Sequence, residues 1–103
     1  MKKTWPAPPE VEKLLKDMGS DLKDARLRRR LKAEIVAERA GVSIVTLRKI
    51  ERGNLQTAVG NYAKVAFALG LLKNLHGVFD DHNDIVGNML EEERLPKRIK
   101  TRK

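Results

Sequence analysis

AEIVAERAGVSIVTLRKIERG, residues 33–53, decides how this chain folds. The stretch reads as two short helices joined by a tight turn. Val36, Ala37 and Ala40 share one face of the first helix, the spacing an amphipathic helix requires. Gly41 can take φ > 0 at no steric cost, which suits a sharp turn. Ser43 is placed to N-cap the second helix by accepting from an unpaired backbone N–H. Leu47 and Ile50, three apart, give that helix an apolar face, and Gly53 is a suitable stop. The outward side is assigned Ile44, Val45, Thr46, Arg48, Lys49 and Arg52.

A helix braced on one side and basic on the other fits the recognition helix of a helix-turn-helix, which lies in the major groove of DNA. The composition agrees. The chain has 103 residues and a formal charge of +8, and its pI is about 10.1. That length makes one domain with a modest core, too small for a roomy catalytic cleft. A strongly basic small protein favours a polyanionic partner, nucleic acid before an anionic membrane. No apolar run approaches the roughly 20 residues of a membrane span. Lys2 and Lys3 precede no apolar run, so no signal peptide is expected. With no cysteine, disulfides and thiolate zinc sites are excluded, compatible with a reducing cytoplasm. Aromatic residues at 4% are too few for a row of rings that stacks single-stranded bases.

Outside the motif, residues 1–9 form an extended arm, because Pro6, Pro8 and Pro9 forbid a helix interior. Trp5 is either an anchor on a partner subunit or incidental in a frayed end. Residues 10–79 make up the DNA-binding domain. From Glu10 to Leu31 the spacing of Val11, Leu14, Leu15, Met18, Leu22 and Ala25 predicts one helix, with a weak point at Gly19-Ser20. Arg26, Arg28, Arg29, Arg30 and Lys32 are either a solvated face or a phosphate-contacting rim. Val59, Tyr62, Ala63, Ala66 and Leu69 mark a further helix that Gly70 stops. Val65 and Phe67 give it a second apolar edge. Leu71, Leu72, Leu75, Val78 and Phe79 continue at helical spacing. This surplus apolar surface predicts a dimer interface through Phe67, Leu71, Leu75, Val78 and Phe79. Residues 80–103 are a C-terminal extension. Asp84 can cap a short helix carrying Ile85, Val86, Met89 and Leu90, and Pro96 ends it. Lys97, Arg98, Lys100, Arg102 and Lys103 form a basic tail, either simply disordered or reaching phosphates.

No catalytic constellation is visible. Ser20 and Ser43 sit at helix starts, where capping explains them. There is no Gly-rich phosphate loop after a strand, and no strand pattern. His76 and His82 with Asp80, Asp81 and Asp84 lack a recognised ligand spacing and read as a hydrophilic turn. No metal and no cofactor are expected.

The residues also carry a resemblance. "AERAGVS" (37–43) and "LRKIERG" (47–53) resemble the repressor-type helix-turn-helix of the Xre/lambda-repressor-like family, with the match running from about Leu22 to Leu71. More narrowly, "ARLRRRLKAEIVAERAGVS" (25–43), "GNYAKVAFALGL" (60–71) and "RLPKRIK" (94–100) are similar to HipB-like antitoxins. Those are transcriptional repressors encoded beside HipA-type kinase toxins. The resemblance implies an all-α, five-helix domain, here with an extra short C-terminal helix and basic tail, that binds inverted-repeat operators as a two-fold dimer. It implies that Arg26 and Glu51 form a buried ion pair. It places Ile44, Val45 and Lys49 at base-reading positions, and Ser43 and Thr46 where short polar side chains meet phosphate or base edges.

The chain departs from that pattern in two places. Ala33 stands where the family has a DNA-contacting glutamine, and Lys32 where it has a Ser/Thr cap. Ile44 is also unusual at a position where polar side chains are common. An apolar Ile44–Val45 pair can pack on thymine methyls but cannot hydrogen-bond base edges, which leaves Lys49 and Arg48 to contact guanine. Arg28, Arg29, Lys32, Ser43 and Arg52 are the expected phosphate contacts. The expected function is a cytoplasmic, dimeric, operon-autoregulating repressor with a HipA-like kinase toxin as partner. The alternative is a scaffold subunit of such a toxin complex with weak or no specific DNA binding.

Overall fold

A computed structural model describes residues 6–94. Trp5, Pro96 and the basic residues Lys97, Arg98, Lys100, Arg102 and Lys103 lie outside the described residues. The described chain is all-helical and has no strand. Its helices are α1 (Pro9–Arg28), α2 (Ala33–Ala40), α3 (Ile44–Glu51), α4 (Val59–Ala68) and α5 (Ile85–Arg94), with 3-10 turns at Leu72–Leu75 and Asp81–Asn83. These residues fall into two compact units that divide between Lys73 and Asn74, whereas the sequence reading sets the division after Phe79.

Four helices of the first unit end in the same way. After α2, Gly41 sits at φ 74° and its N–H donates to the Glu38 carbonyl, while the Val42 N–H reaches back to Ala37. Gly53–Asn54 and Gly70–Leu71 repeat the pattern after α3 and α4. Each pair satisfies carbonyls that a helix end leaves unpaired. After α1 the left-handed position belongs to Arg30 at φ 55°, the one non-glycine residue at positive φ among those described. The reversal at Arg30 stops α1 at Arg28, three residues before the expected Leu31. At the other end Pro9 opens the helix, where its missing N–H costs nothing.

The core of the first unit lies among α1 to α4. Leu47, Ile50, Val36 and Val65 are its largest fully buried side chains, with Ala25, Ala37, Ala40, Tyr62, Ala66 and Leu69 around them. Each of those four contributes about 1.5–3 kcal/mol through burial. Val65, read as a surplus edge, is core; Phe67 on the same helix is exposed.

Gly19 does not weaken α1. It is buried where α1 crosses the end of α3. A Cβ on Gly19 would lie 2.8 Å from the Gly53 nitrogen, and one on Gly53 would lie 2.6 Å from the Leu15 carbonyl oxygen. The two backbones touch directly, which only glycine permits.

The expected helical continuation through Leu71–Phe79 is absent. One 3-10 turn, Leu72–Leu75, is followed by turns, because Gly70 and Gly77 adopt positive φ. Asp80 caps the next 3-10 turn by accepting from the His82 N–H at 3.1 Å. Its carboxyl is held below the ordinary range by its hydrogen bond with Asp81 and by that N–H. Asp84 caps α5 as expected, accepting from the Gly87 N–H at 2.9 Å. No residue of α5 is buried.

Candidate nucleic-acid interface

Ser43 begins the candidate interface. Its Oγ accepts from the Thr46 N–H at 3.0 Å and donates to Thr46 Oγ1 at 3.0 Å. The cap starts α3 and links the two hydroxyls at its first turn. Thr46 is half-buried, and Ser43 is exposed beside the helix start.

From there α3 sorts its side chains by the helical period. Leu47 and Ile50 point into the core. Ile44 lies one turn before Leu47, on the same side, and packs half-buried against the core. This corrects its placement on the outward face: the first residue of the helix shares the inner stripe at i, i+3. The outward stripe is Val45, Arg48, Lys49 and Arg52, all exposed, at i, i+3, i+4 and i+7. Val45 is 59% exposed. An apolar side chain beside three cations can read a thymine methyl, hydrogen-bond guanine and grip phosphate from one face.

The stripe is held from behind by Arg26 and Glu51. Arg26 Nε donates to Glu51 Oε2 at 2.7 Å and Nη2 to Oε1 at 3.2 Å. Nη1 donates to the Leu31 carbonyl at 3.1 Å. The side chains are 11% and 9% exposed. The bidentate bond to Glu51 raises the Arg26 guanidinium above its ordinary value, against the opposing effect of burial. One side chain thus joins α1, the loop after it and the last residue of α3. It also neutralises a carboxylate that would otherwise repel DNA phosphates.

The remaining basic residues flank this frame. Arg28, Arg29 and Lys32 are exposed between α1 and α2. Arg29 Nη1 donates to the Ala25 carbonyl at 3.0 Å, so part of this side chain caps its own helix. Lys32 occupies the N-cap of α2 without a side-chain cap bond. Ala33 packs against the core and presents no polar group.

The loop from α3 to α4 holds a clamp that sequence reasoning missed. Buried Tyr62 donates its hydroxyl to the Asn54 carbonyl at 2.7 Å, and Asn54 Oδ1 accepts from the Gln56 N–H and the Thr57 hydroxyl. Burial pushes the Tyr62 hydroxyl's pKa up. An Asn directly after a helix-stopping glycine is the local signal for such a turn.

The expected dimer residues are split between the units. Phe67 is 66% exposed on α4, while Leu71 is half-buried against the core. In the second unit Leu75 is half-buried, and Val78 and Phe79 are exposed. Asp80, Asp81 and His82 approach one another, with His82 Nδ1 3.1 Å from Asp80 Oδ1. These bonds organise a surface turn. No described helix is long and apolar enough to cross a membrane.

Comparison with known proteins finds one family, described as a helix-turn-helix domain, that matches residues 17–75. No curated protein and no solved structure matches the chain.

Proposed function

The chain belongs to the helix-turn-helix domain family, whose members are DNA-binding regulators, and from that premise we propose that it is a dimeric, sequence-specific transcriptional repressor. It inserts the stripe Val45, Arg48, Lys49 and Arg52 into successive major grooves of an inverted repeat, with half-sites about 34 Å apart or a multiple of that. Arg28, Arg29, Lys32 and Ser43 meet the flanking phosphates. Ile44 acts from behind as a brace for Val45.

The observation that carries this reading is the combination of an exposed basic stripe with a buried ion pair behind it. Gel shifts with the DNA upstream of the chain's own gene test it. Tight binding there and weak binding to random duplex at about 150 mM salt support it; equal binding to both rejects specific repression.

The resemblance of residues 25–43 and 60–71 to HipB-like antitoxins supports a narrower role, in which the repressor partners a HipA-like kinase toxin and regulates their shared operon. A neighbouring gene without a kinase fold counts against that role. A scaffold subunit that has lost specific DNA binding is the second reading. It is favoured by Ala33 and Ile44, which turn toward the core and offer no polar group to a base. Absence of DNA affinity at about 50 mM salt, where a basic binder is tightest, would establish it.

A further inference from the structure

Two apolar helix faces, one in each unit, are left uncovered, and their charges are opposite. On α5, Ile85, Val86, Met89 and Leu90 are all exposed, at i, i+1, i+4 and i+5, and Glu92 and Glu93 extend that stripe. On α4, Val59 is 77% exposed and Phe67 66%, and half-buried Ala63 lies between them with exposed Lys64 alongside. Both helices have 10 residues, so the faces match in length at about 15 Å each.

Up to the end of α5, the charge along the chain is divided in the same sense. Residues 1–73 hold sixteen of the 22 Lys and Arg but only eight of the 14 Asp and Glu. Residues 74–94 hold the other six carboxylates against Arg94 alone, and the remaining five cations follow at 97–103. An acidic, apolar helix seeks a basic, apolar face, and the chain supplies one. A ten-residue helix with no buried residue is also marginal in water without such packing.

We propose that the occupant of the α5 face is a second copy of this chain: α5 of each protomer docks on the outer α4 face of its partner, reciprocally about a two-fold axis. The two-fold makes both contacts identical, so one complementary pair closes the dimer. This inference rests on the dimeric reading above and adds to it a surface, a pairing and a charge rule.

Sedimentation of the full chain tests it through a charge exchange. Lys64→Glu alone sets carboxylate against carboxylate in both contacts of its homodimer. Glu92→Lys with Glu93→Lys sets ammonium against ammonium. Each variant is expected to dimerise at least about tenfold more weakly than wild type, with unchanged helical circular dichroism. Mixing the two variants matches the charges in both contacts of the heterodimer, so the mixture is expected to recover the dimer. Variants that dimerise like wild type overturn this surface and leave the dimeric reading standing. Failure of the mixture, with recovery when all three substitutions sit in one chain, overturns docking between copies and places α5 on its own chain. A monomeric wild type overturns the dimeric reading and this inference together.

Discussion

Arg26 and Glu51, 25 residues apart, meet through two parallel hydrogen bonds of 2.7 and 3.2 Å beneath the exposed stripe of α3. The pair joins the end of the first helix to the last residue of the third. Because both side chains are largely shielded, removing one partner strands the other's charge. Glu51→Gln or Arg26→Ala is therefore expected to cost about 3 kcal/mol or more, read from urea unfolding. Replacing both residues with apolar side chains of similar volume costs much less. Equal losses in the single and double variants would show that packing, not charge, accounts for the effect.

Along the outward stripe, base contacts and phosphate contacts separate by experiment. Lys49→Ala is expected to weaken operator binding by about 1–3 kcal/mol and to alter base preference in selection from random duplexes. Arg52→Ala is expected to weaken binding to all sequences alike and to lower the salt slope by about 1. If Lys49→Ala leaves base preference intact, Lys49 is a phosphate contact.

Gly19 reverses a general rule. In an exposed helix interior Gly→Ala stabilises by about 1 kcal/mol. At this position the new methyl meets the backbone of Ile50–Gly53, so Gly19→Ala is expected to destabilise by about 1–3 kcal/mol. Thermal unfolding gives the sign, and a raised Tm would remove the close approach of the two backbones.

Arg30 should respond in the opposite direction. A side chain in the left-handed region costs about 1 kcal/mol that glycine does not. Arg30→Gly is expected to raise stability by somewhat less than that, since glycine loses more entropy on folding. Unchanged or lowered stability in urea unfolding would mean that the Arg30 side chain makes a compensating contribution.

Local chemistry was the legible part of this fold. Gly41, Ser43 and Gly53 act within a few residues of themselves, so the turn, the cap and the stop follow from residue type. The spacing of Leu47 and Ile50 sets the inner face. The Arg26–Glu51 pair came from the family resemblance, since no local pattern links residues so far apart in sequence. What stayed hidden depends on distant partners or on phase at a helix end. Ile44 belongs to the inner stripe by one turn of the helix, yet adjacency to Val45 suggested the outside. Gly19 signals weakness unless the end of α3 is known to lie against it. Leu71–Phe79 has helical spacing, but Gly70 and Gly77 break the run into turns. The bond from Tyr62 to Asn54 spans eight residues of loop and helix and has no periodic signature.

The backbone contact between Gly19 and Gly53 bears on how this surface can change over time. Side-chain cushions between helices drift when any one of them is replaced, and whatever they support drifts too. Here glycine meets main chain, so the pose of α3 does not depend on the identity of its outward residues. Positions 45, 48, 49 and 52 lie outside that contact, so they can be exchanged while the frame behind them stays put.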